Sequence, residues 1–510
     1  MNETTFKPLL PRSTPEAEGI SSADVERFVR ALDAAPHNDA FRVVRHGKVI
    51  AEGSWAPSRP GDRHMLFSLS KSFTSSAIGI AQGEGLLCID DALVSFFPEY
   101  DTPAVSERMR RVTPRHLLTM SSGHRNCAFR VGAADDPDDW VRGFLESALD
   151  FEPGTHFTYN TGATYMLSAV LQKVTGTPVV EYLQPRLFDP LGIPPPRWDC
   201  CPRGINLGGT GLHLSVEEIA AFAHLWLRCG NWSGRQIIPP EYAAIASSFQ
   251  IDNLGNDLNP CSDWNKGYGF QFWMCRHNSF RGDGYAGQIA FADRAHDLAV
   301  AITGGSLNMQ REVDSFLDIL PQACGYRRLP ENPAALASLR ECCASLRVSL
   351  PAPTEGATAD GVARDFAKYA GTYAFGPNRL GYFAGRRTNA GDLPRTFDRG
   401  LKGVTVGFGP EGARLRLKWH DRDVDLVAGY GTPVANDGTL LHADAKSLTL
   451  YAQCAQVDAA TLAVGAYSPC APTHFDITFR FADNGLDLDW RAPNWYGSVC
   501  GGATLHGERA

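Results

Sequence analysis

The chain has 510 residues, of which 44% are hydrophobic and 20% charged, and its net charge of −8 accompanies a pI near 6.0. This composition is typical of a globular protein with about two or three domains, and it excludes a largely disordered chain. Because no run of lysine or arginine occurs, neither nucleic acid nor an anionic membrane is expected as a partner.

Targeting signals and cysteines bear on the compartment. The N-terminal Met1-Asn-Glu-Thr-Thr-Phe-Lys-Pro segment has no apolar signal-peptide core, and no stretch approaches the roughly 18 apolar residues of a membrane span. The 13 cysteines are scattered and include the adjacent pairs Cys200-Cys201 and Cys342-Cys343, so we expect reduced thiols rather than a disulfide framework. No Cys-x-x-Cys or His-Glu-x-x-His spacing indicates a metal. We therefore expect a cytoplasmic protein without a cofactor.

The first predicted elements are a β-hairpin over residues 40–56, turning at His46-Gly47-Lys48, and then helical patterns up to about residue 250. Among these, Ser215 and Glu218 form a capping box before the helix at 216–227. Strand-like segments return at 267–273 and 297–303. We therefore expect an α+β fold in which one sheet is flanked by helices and a helical region.

The segment Ser68-Leu-Ser-Lys71 carries the strongest chemical signal. It follows the apolar Met65-Leu-Phe and opens a small-residue helix predicted to reach Ala81. Residues three apart on a helix share a face, so the Lys71 amine can reach the Ser68 hydroxyl. A serine needs such a base to attack a carbonyl, and a helix N-terminus offers N–H groups to the resulting oxyanion. About one or two Ser-x-x-Lys strings are expected by chance in a chain this long, so the motif needs support.

Support comes from a loop that precedes another predicted helix. It reads Glu152-Pro-Gly-Thr-His-Phe-Thr-Tyr159-Asn160-Thr-Gly162. A tyrosine near a lysine ammonium can be held partly as phenolate, which makes Tyr159 a plausible general base toward a serine hydroxyl. An isolated tyrosine would instead be interpreted as a packed aromatic.

The third candidate is Gly282-Asp-Gly284-Tyr285-Ala-Gly287-Gln288. It matches the Gly-x-Gly-x-x-Gly dinucleotide pattern, but that interpretation requires a helix after the glycines. A strand pattern follows instead, so we place the glycines on or beside a strand. There they allow a substrate to approach closely, and a free N–H can complete an oxyanion hole.

Residues 326–365 contain two proline-rich stretches, at 329–333 and 350–356, and are interpreted as a linker between domains at 1–325 and 366–510. Beyond it, Phe475, Ile477, Phe479 and Phe481 alternate with polar residues before an Asn484-Gly485 turn. The last region is therefore predicted to be an all-β barrel or sandwich, with a structural or substrate-gating role favoured over ligand binding.

Taken in order, these motifs resemble those of the serine hydrolases related to class C β-lactamases and penicillin-binding proteins. The resemblance covers about residues 15–325 and is supported by four further segments: residues 67–73, 84–91, 117–124 and 208–212. It implies a β-lactamase-like antiparallel sheet flanked by helices. Ser-x-x-Lys is the nucleophile motif of the wider group.

The resemblance also implies residue roles. Ser68 would be the acyl-accepting nucleophile, Lys71 would lower its effective pKa, and Tyr159 would act as general base and then as acid toward the leaving group. The N–H groups of Ser68 and Tyr285 would form the oxyanion hole. Further substrate-binding positions would be Asn160, Gly284 and Gly287.

Three departures bear on the substrate. Tyr-x-Asn becomes Tyr159-Asn160-Thr161, no Ser-Asp-Asn occurs, and the Lys-Thr-Gly or His-x-Gly strand motif becomes Gly282-Asp283-Gly284. The last change removes the cation that would hold a β-lactam carboxylate, which Arg281 or Arg276 could only partly replace. What remains resembles the esterase and 6-aminohexanoate-oligomer hydrolase branch, so we expect hydrolysis of a small ester or amide.

Three alternatives stay open at this point. The same site could act on β-lactams or D-amino-acid peptides, it could transfer the acyl group to an acceptor other than water, or the chain could be a non-catalytic ligand-binding protein. His124, His213 and His474 have no spaced partners and are interpreted as structural.

Overall fold

A computed structural model of the protein describes residues 8–35, 37–306, 308–378, 380, 400–420, 422–437, 449–470, 473–491 and 503–510. The chain divides into two compact units. The first comprises Met1–Ser54, Arg59–Gly304 and Asn308–Leu346, and the second Trp55–Ser58, Gly305–Leu307 and Arg347–Ala510. The start of the chain, on which the signal-peptide prediction rests, lies outside the described residues.

The first unit contains twelve α-helices and ten strands among its described residues. The helices are α1 Ser22–Asp33, α2 Ser70–Gly83, α3 Pro114–Leu118, α4 Trp140–Leu145, α5 Thr161–Thr175, α6 Val179–Leu183, α7 Asp189–Leu191, α8 Val216–Leu227, α9 Pro240–Ala246, α10 Met309–Leu317, α11 Leu320–Ala323 and α12 Pro333–Ser345. The strands are β1 Asn38–Arg45, β2 Lys48–Ser54, β3 His64–Met65, β4 His213–Leu214, β5 Asn231–Trp232, β6 Arg235–Gln236, β7 Trp273–Met274, β8 Phe280–Gly284, β9 Gln288–Asp293 and β10 Leu298–Gly304.

Six of these strands form one antiparallel sheet in the order β2-β1-β10-β9-β8-β7. Five of its strands are buried at every position, and the edge strand β2 exposes Glu52. Phe41 of β1 meets the ring of Phe28 on α1 at 5.5 Å, and Phe291 of β9 meets Phe316 on α10 at 4.8 Å. Small alanines of β9 and β10 join the core that includes α8, which packs directly on both strands. The predicted sheet flanked by helices is confirmed.

Short sequence motifs explain where several helices and strands begin or end. The predicted hairpin at 40–56 forms as β1 and β2, and the Ser215–Glu218 capping box begins α8. The predicted strand at 267–273 is wrong for most of its length, since only Trp273 of that range belongs to a strand. At Gln271 the backbone turns to φ 66°, and the buried side chain donates to the carbonyls of Leu117 and Leu118 at 3.1 and 2.8 Å. These side-chain bonds hold the segment to α3 instead of to a neighbouring strand.

The range predicted as a linker, residues 326–365, contains two helices. α12 packs against α1 and β2 within the first unit, whereas α13 (Ala359–Phe366) belongs to the second unit. The first unit therefore extends to Leu346.

The second unit is a barrel built from ten described strands. They are β11 Gly371–Phe375, β12 Gly403–Gly409, β13 Gly412–Lys418, β14 Asp423–Tyr430, β15 Val434–Asp437, β16 Thr449–Gln456, β17 Thr461–Ser468, β18 Thr473–Ala482, β19 Gly485–Arg491 and β20 Ala503–Arg509. Neighbours pair antiparallel in the order β14-β13-β12-β11-β20-β19-β18-β17-β16-β15, and β14 also pairs with β16 to close the sheet. The predicted hairpin forms, with Phe479 opposite Leu488.

Within the ranges given above, none of the helices combines the length and the hydropathy that a membrane crossing requires.

Candidate active site

Ser68 lies on a tight turn immediately before α2. The residues Phe67–Leu69 form a single 3-10 turn, and α2 begins at Ser70. Phe67 has a φ of 45°, a left-handed conformation that costs a non-glycine residue of order 1 to 3 kcal/mol. Such backbone strain is concentrated at functional sites in proteins, where the surrounding fold maintains it. Ser68 itself remains half-buried, whereas the residues that follow it on α2 are buried.

The Lys71 amine reaches the Ser68 hydroxyl, as the three-residue spacing predicts. The distance from Lys71 Nζ to Ser68 Oγ is 2.9 Å. Two other groups contact the same nitrogen, the Gly209 carbonyl at 2.8 Å and the Thr161 hydroxyl at 3.2 Å. The lysine side chain is 1% exposed, and burial lowers its pKa from 10.5 to about 7. Desolvation disfavours the ammonium form and outweighs the nearby charges of Cys127 and Asp283, which act in the opposite direction.

This contact set is compatible with both protonation states of the amine. The ammonium donates to all three oxygens, those of Ser68, Thr161 and Gly209. The neutral amine can donate to Gly209 O and Thr161 Oγ1 and keep its lone pair for the Ser68 hydroxyl proton. The site can therefore hold a base beside the serine at neutral pH.

Tyr159 is brought to the same amine by the loop that leads into α5. Its ring centroid lies 4.9 Å from Lys71 Nζ. The ring stacks on Trp273 at 5.3 Å with an interplanar angle of 22°, and the Tyr268 ring meets it edge-on at 6.4 Å. Tyr159, which is distant in the chain, thus joins the neighbouring pair Ser68 and Lys71, as the sequence motifs predict.

Asn160 has a different place from the one expected of it. It is buried at the N-terminus of α5, where its Oδ1 accepts hydrogen bonds from the N–H groups of Gly162 and Ala128, both at 2.9 Å. The carboxamide thus caps the helix, because a helix start leaves N–H groups in need of acceptors. The next residue, Thr161, contacts Lys71 instead, and sequence reasoning missed it. Its position two residues after Tyr159, where the related enzymes have asparagine, was the available signal.

The glycine-rich segment lies beside the serine turn. β8 ends at Gly284, and Tyr285-Ala286-Gly287 turns the chain into β9. A Cβ on Gly284 would collide with the Leu66 carbonyl, so the strand end packs directly on the segment that leads to Ser68. The Tyr285 ring meets Phe67 edge-on at 5.7 Å. The predicted strand setting is confirmed, and the absence of a following helix removes the dinucleotide interpretation.

The buried side chain of Gln288 braces this turn. Its Nε2 donates to the carbonyls of Ala286 at 3.2 Å and Gly304 at 2.6 Å. Gly287 has a φ of 93°, and a Cβ there would clash with the Glu312 carboxylate. Gly287 is thus required by the backbone and by close packing.

Neither arginine near this strand presents a free cation. Arg281 is fully buried, and its Nε bonds to Asp283 Oδ2 at 3.0 Å. Arg276 forms ion pairs with Asp314 at 2.6 Å, Asp318 at 2.8 Å and Asp263 at 3.1 Å. Both arginines, considered from the sequence as partial replacements for a carboxylate-binding lysine, are therefore already engaged in internal ion pairs.

The three histidines interpreted as structural have local partners or burial that suit that role. His124 lies between the hydroxyls of Ser122 at 2.9 Å and Ser147 at 2.8 Å, and burial lowers its pKa to about 4. Burial also lowers the pKa of His213 to about 4, and His474 bonds to Asp476 at 3.0 Å.

A protein-family model and several curated proteins match parts of this chain. The Beta-lactamase family model matches residues 25–314. A 6-aminohexanoate-dimer hydrolase of Paenarthrobacter ureafaciens is 24% identical over 282 residues, which are 51% of this chain and 71% of that protein. A lovastatin esterase of Penicillium rubens is 29% identical over 32% of this chain and 46% of its own length. A D-aminopeptidase of Brucella anthropi is 27% identical over 33% of this chain and 34% of its own.

One solved structure bears on the fold. A candidate 6-aminohexanoate-dimer hydrolase from Bacillus anthracis aligns with a TM-score of 0.51 at 18% identity, over 63% of this chain and 89% of the other. At that identity the match bears on architecture alone.

Proposed function

The chain belongs to the Beta-lactamase family and is a serine hydrolase, and from this premise we propose that it hydrolyses a small ester or amide through an acyl-enzyme on Ser68. The observation that carries the proposal is the buried Lys71 amine, 2.9 Å from Ser68 Oγ, with its pKa lowered to about 7. An amine of that pKa is partly neutral at physiological pH, and general bases work best when their pKa lies near the working pH.

The reaction would proceed in two halves. Ser68 Oγ attacks the substrate carbonyl while its proton passes to the Lys71–Tyr159 pair, and the N–H groups of Ser68 and Tyr285 stabilise the oxyanion. The bond to the leaving alcohol or amine then breaks as Tyr159 returns a proton to it. In the second half a water molecule loses its proton to the same base and attacks the acyl carbon. The bond from the acyl carbon to Ser68 Oγ then breaks, the acid leaves, and the base returns its proton to Ser68 Oγ.

An uncharged acyl group is favoured over a β-lactam. The strand beside the serine has glycine and Asp283 where the related enzymes carry Lys-Thr-Gly, and both neighbouring arginines are held in ion pairs. A substrate carboxylate would therefore lack the charge-assisted partner that binds it in β-lactam-processing sites.

The test is hydrolysis of short-chain p-nitrophenyl esters by the wild type beside Ser68→Ala, with the exposed Ser95→Ala as a matched control. We expect nitrophenol release to fall at least about 1000-fold in Ser68→Ala and to be unchanged in Ser95→Ala. Full activity in a folded Ser68→Ala protein would refute the Ser68 acyl-enzyme.

Intact-mass spectrometry and product analysis decide between the substrate classes. A stable penicillin adduct on Ser68 would move the assignment to β-lactam or D-amino-acid peptide chemistry. Ester or amide products with added alcohols or amines would indicate acyl transfer, and no turnover of any acyl substrate would favour a binding role.

A further inference from the structure

Trp273 lies between the Tyr159 ring and the buried carboxylate of Asp283. One face of its indole lies against the Tyr159 ring, at 5.3 Å and 22°. The indole is also a polar neighbour of Asp283, and it acts to lower the pKa of that carboxyl against the effect of burial. Trp273 pairs with Arg281 across β7 and β8, so it shares a sheet face with Arg281 and with Asp283, two residues further along. The stacking partner of the tyrosine is thus bonded to the strand beside Ser68.

The carboxylate at the other end of this link is firmly held. Asp283 is 6% exposed, and its Oδ2 accepts from Arg281 Nε at 3.0 Å. Arg281 is anchored in turn by the Cys275 sulfur at 2.9 Å and the Asp263 carbonyl at 3.3 Å. A second indole, Trp264, is another polar neighbour of Asp283, and its ring lies 4.4 Å from the Arg281 guanidinium. The ion pair with the buried Arg281, itself bonded to Cys275 and Asp263, leaves Asp283 little freedom to move.

We propose that Trp273, beside Asp283, is a positioning residue that holds the Tyr159 ring over the Lys71 amine. The inference rests on the proposed function, in which Tyr159 exchanges a proton with Ser68 and with the leaving group. A tyrosine at a loop end can rotate about two side-chain bonds, and a flat indole against one face restricts that rotation. A displacement of about 1 Å in a reacting group can cost about 100-fold in rate.

The experiment compares three single variants of the full chain with p-nitrophenyl esters. Trp273→Leu removes the stacking surface, Trp273→Phe keeps an aromatic ring but removes the indole N–H near Asp283, and Trp264→Phe removes the other indole N–H near the same carboxylate. We expect kcat to fall about 100-fold in Trp273→Leu and about 10-fold in Trp273→Phe, with KM changed less than about threefold. Trp264→Phe should retain kcat within about threefold, because its ring does not contact Tyr159 in the described contacts.

A double-mutant cycle separates positioning from a general structural role. In a Tyr159→Phe background, Trp273→Phe should have no further effect on kcat, because the group that it positions is gone. An unchanged loss in that background would overturn the inference, as would an equal loss in Trp264→Phe. A raised KM with wild-type kcat would also overturn it, since the indole would then act in substrate binding.

The outcomes for the two proposals are distinct. If the wild type shows no Ser68-dependent turnover, the proposed function fails. If turnover depends on Ser68 but both Trp273 variants keep wild-type kcat, only the present inference fails. If near-ultraviolet circular dichroism shows that Trp273→Leu does not fold, the inference is tested by the milder Trp273→Phe and by the double-mutant cycle.

Discussion

The sheet of the first unit and the C-terminal barrel differ in which residues along their strands are buried. In the barrel, Phe475, Ile477 and Phe479 point inward and alternate with polar neighbours, and the same alternation recurs in β13 and β19. In the first unit, β8 and β9 are buried at every position, including Arg281, Asp283 and Gln288. These three barrel strands thus show the regular period-two pattern of an antiparallel sheet, whereas the sheet of the first unit places charged groups in its interior.

Backbone conformation follows the same division. Each non-glycine residue with positive φ among the described residues lies in the first unit, and three of them, Phe67, Gln271 and Ala286, surround the serine turn and its neighbouring strands. In the described part of the barrel, positive φ occurs only at glycine. Irregular backbone and buried charge thus occur together in the unit that carries Ser68 and Lys71, which is where proteins concentrate such strain when they perform chemistry.

Replacing the buried lysine should produce the largest effect. In Lys71→Met the aliphatic stem stays but the base is lost, so we expect kcat for p-nitrophenyl esters to fall about 1000-fold or more. The matched control is Lys173→Met, because Lys173 is half-exposed and pairs only at the surface with Glu99 at 2.6 Å. Steady-state kinetics on both variants measures this. Near-wild-type activity in Lys71→Met would show that this buried charged group of the first unit has no catalytic role.

A core substitution in the barrel should affect stability. Phe479 is fully buried and stacks on Phe481 at 6.1 Å, so Phe479→Ala should destabilise the barrel by about 3 to 5 kcal/mol. Its neighbour Arg480 is exposed, and Arg480→Ala should change stability by less than about 0.5 kcal/mol. Thermal and urea denaturation measure both. Equal effects of the two changes would contradict the alternation on which the comparison rests.

The Lys71 pKa also predicts how stability changes with pH. Its value of about 7 in the folded protein lies below the ordinary 10.5, so between these values the unfolded chain binds more protons than the folded chain. Stability should therefore rise with pH across this window, by up to about 1.4 kcal/mol per pH unit from this group. Urea denaturation at pH 7.5 and 9.5 should show wild type gaining about 2 to 3 kcal/mol relative to Lys71→Met. If the difference in the free energy of unfolding between wild type and Lys71→Met is the same at both pH values, the folded protein does not lower the pKa of Lys71, and its environment is more polar than described.

The smallest predicted effect concerns Thr161. Thr161→Val keeps the shape of the side chain but removes the oxygen that accepts from Lys71 at 3.2 Å. A lost hydrogen bond of this kind costs about 1 kcal/mol, so we expect kcat to fall roughly 5- to 10-fold. Thr161→Ser retains the hydroxyl and should recover most of the rate. If the serine and valine variants have the same kcat, the hydroxyl contributes nothing to the base.

Much of the local structure could be predicted, because its causes are local. The hairpin at 40–56, the capping box at Ser215 and the hairpin around Asn484-Gly485 each depend on residues a few positions apart. The irregular structure at 267–273, predicted as a strand, could not be foreseen, because Gln271 bonds to carbonyls about 150 residues away. The helix at α12 was missed because prolines on both sides of it suggested a linker, whereas Pro333 occupies the first turn, where a helix tolerates it.

By itself, the sequence determined that Ser68 and Lys71 face each other, since their three-residue spacing is maintained by one turn of helix, and that the C-terminal strands alternate. The protonation state of Lys71, by contrast, depends on residues far away in the chain. Its partners Thr161 and Gly209 lie 90 and 138 residues away, and the burial that lowers its pKa to about 7 depends on them. The physical reason is that spacing along a helix sets geometry, whereas desolvation depends on what the whole chain packs around the group.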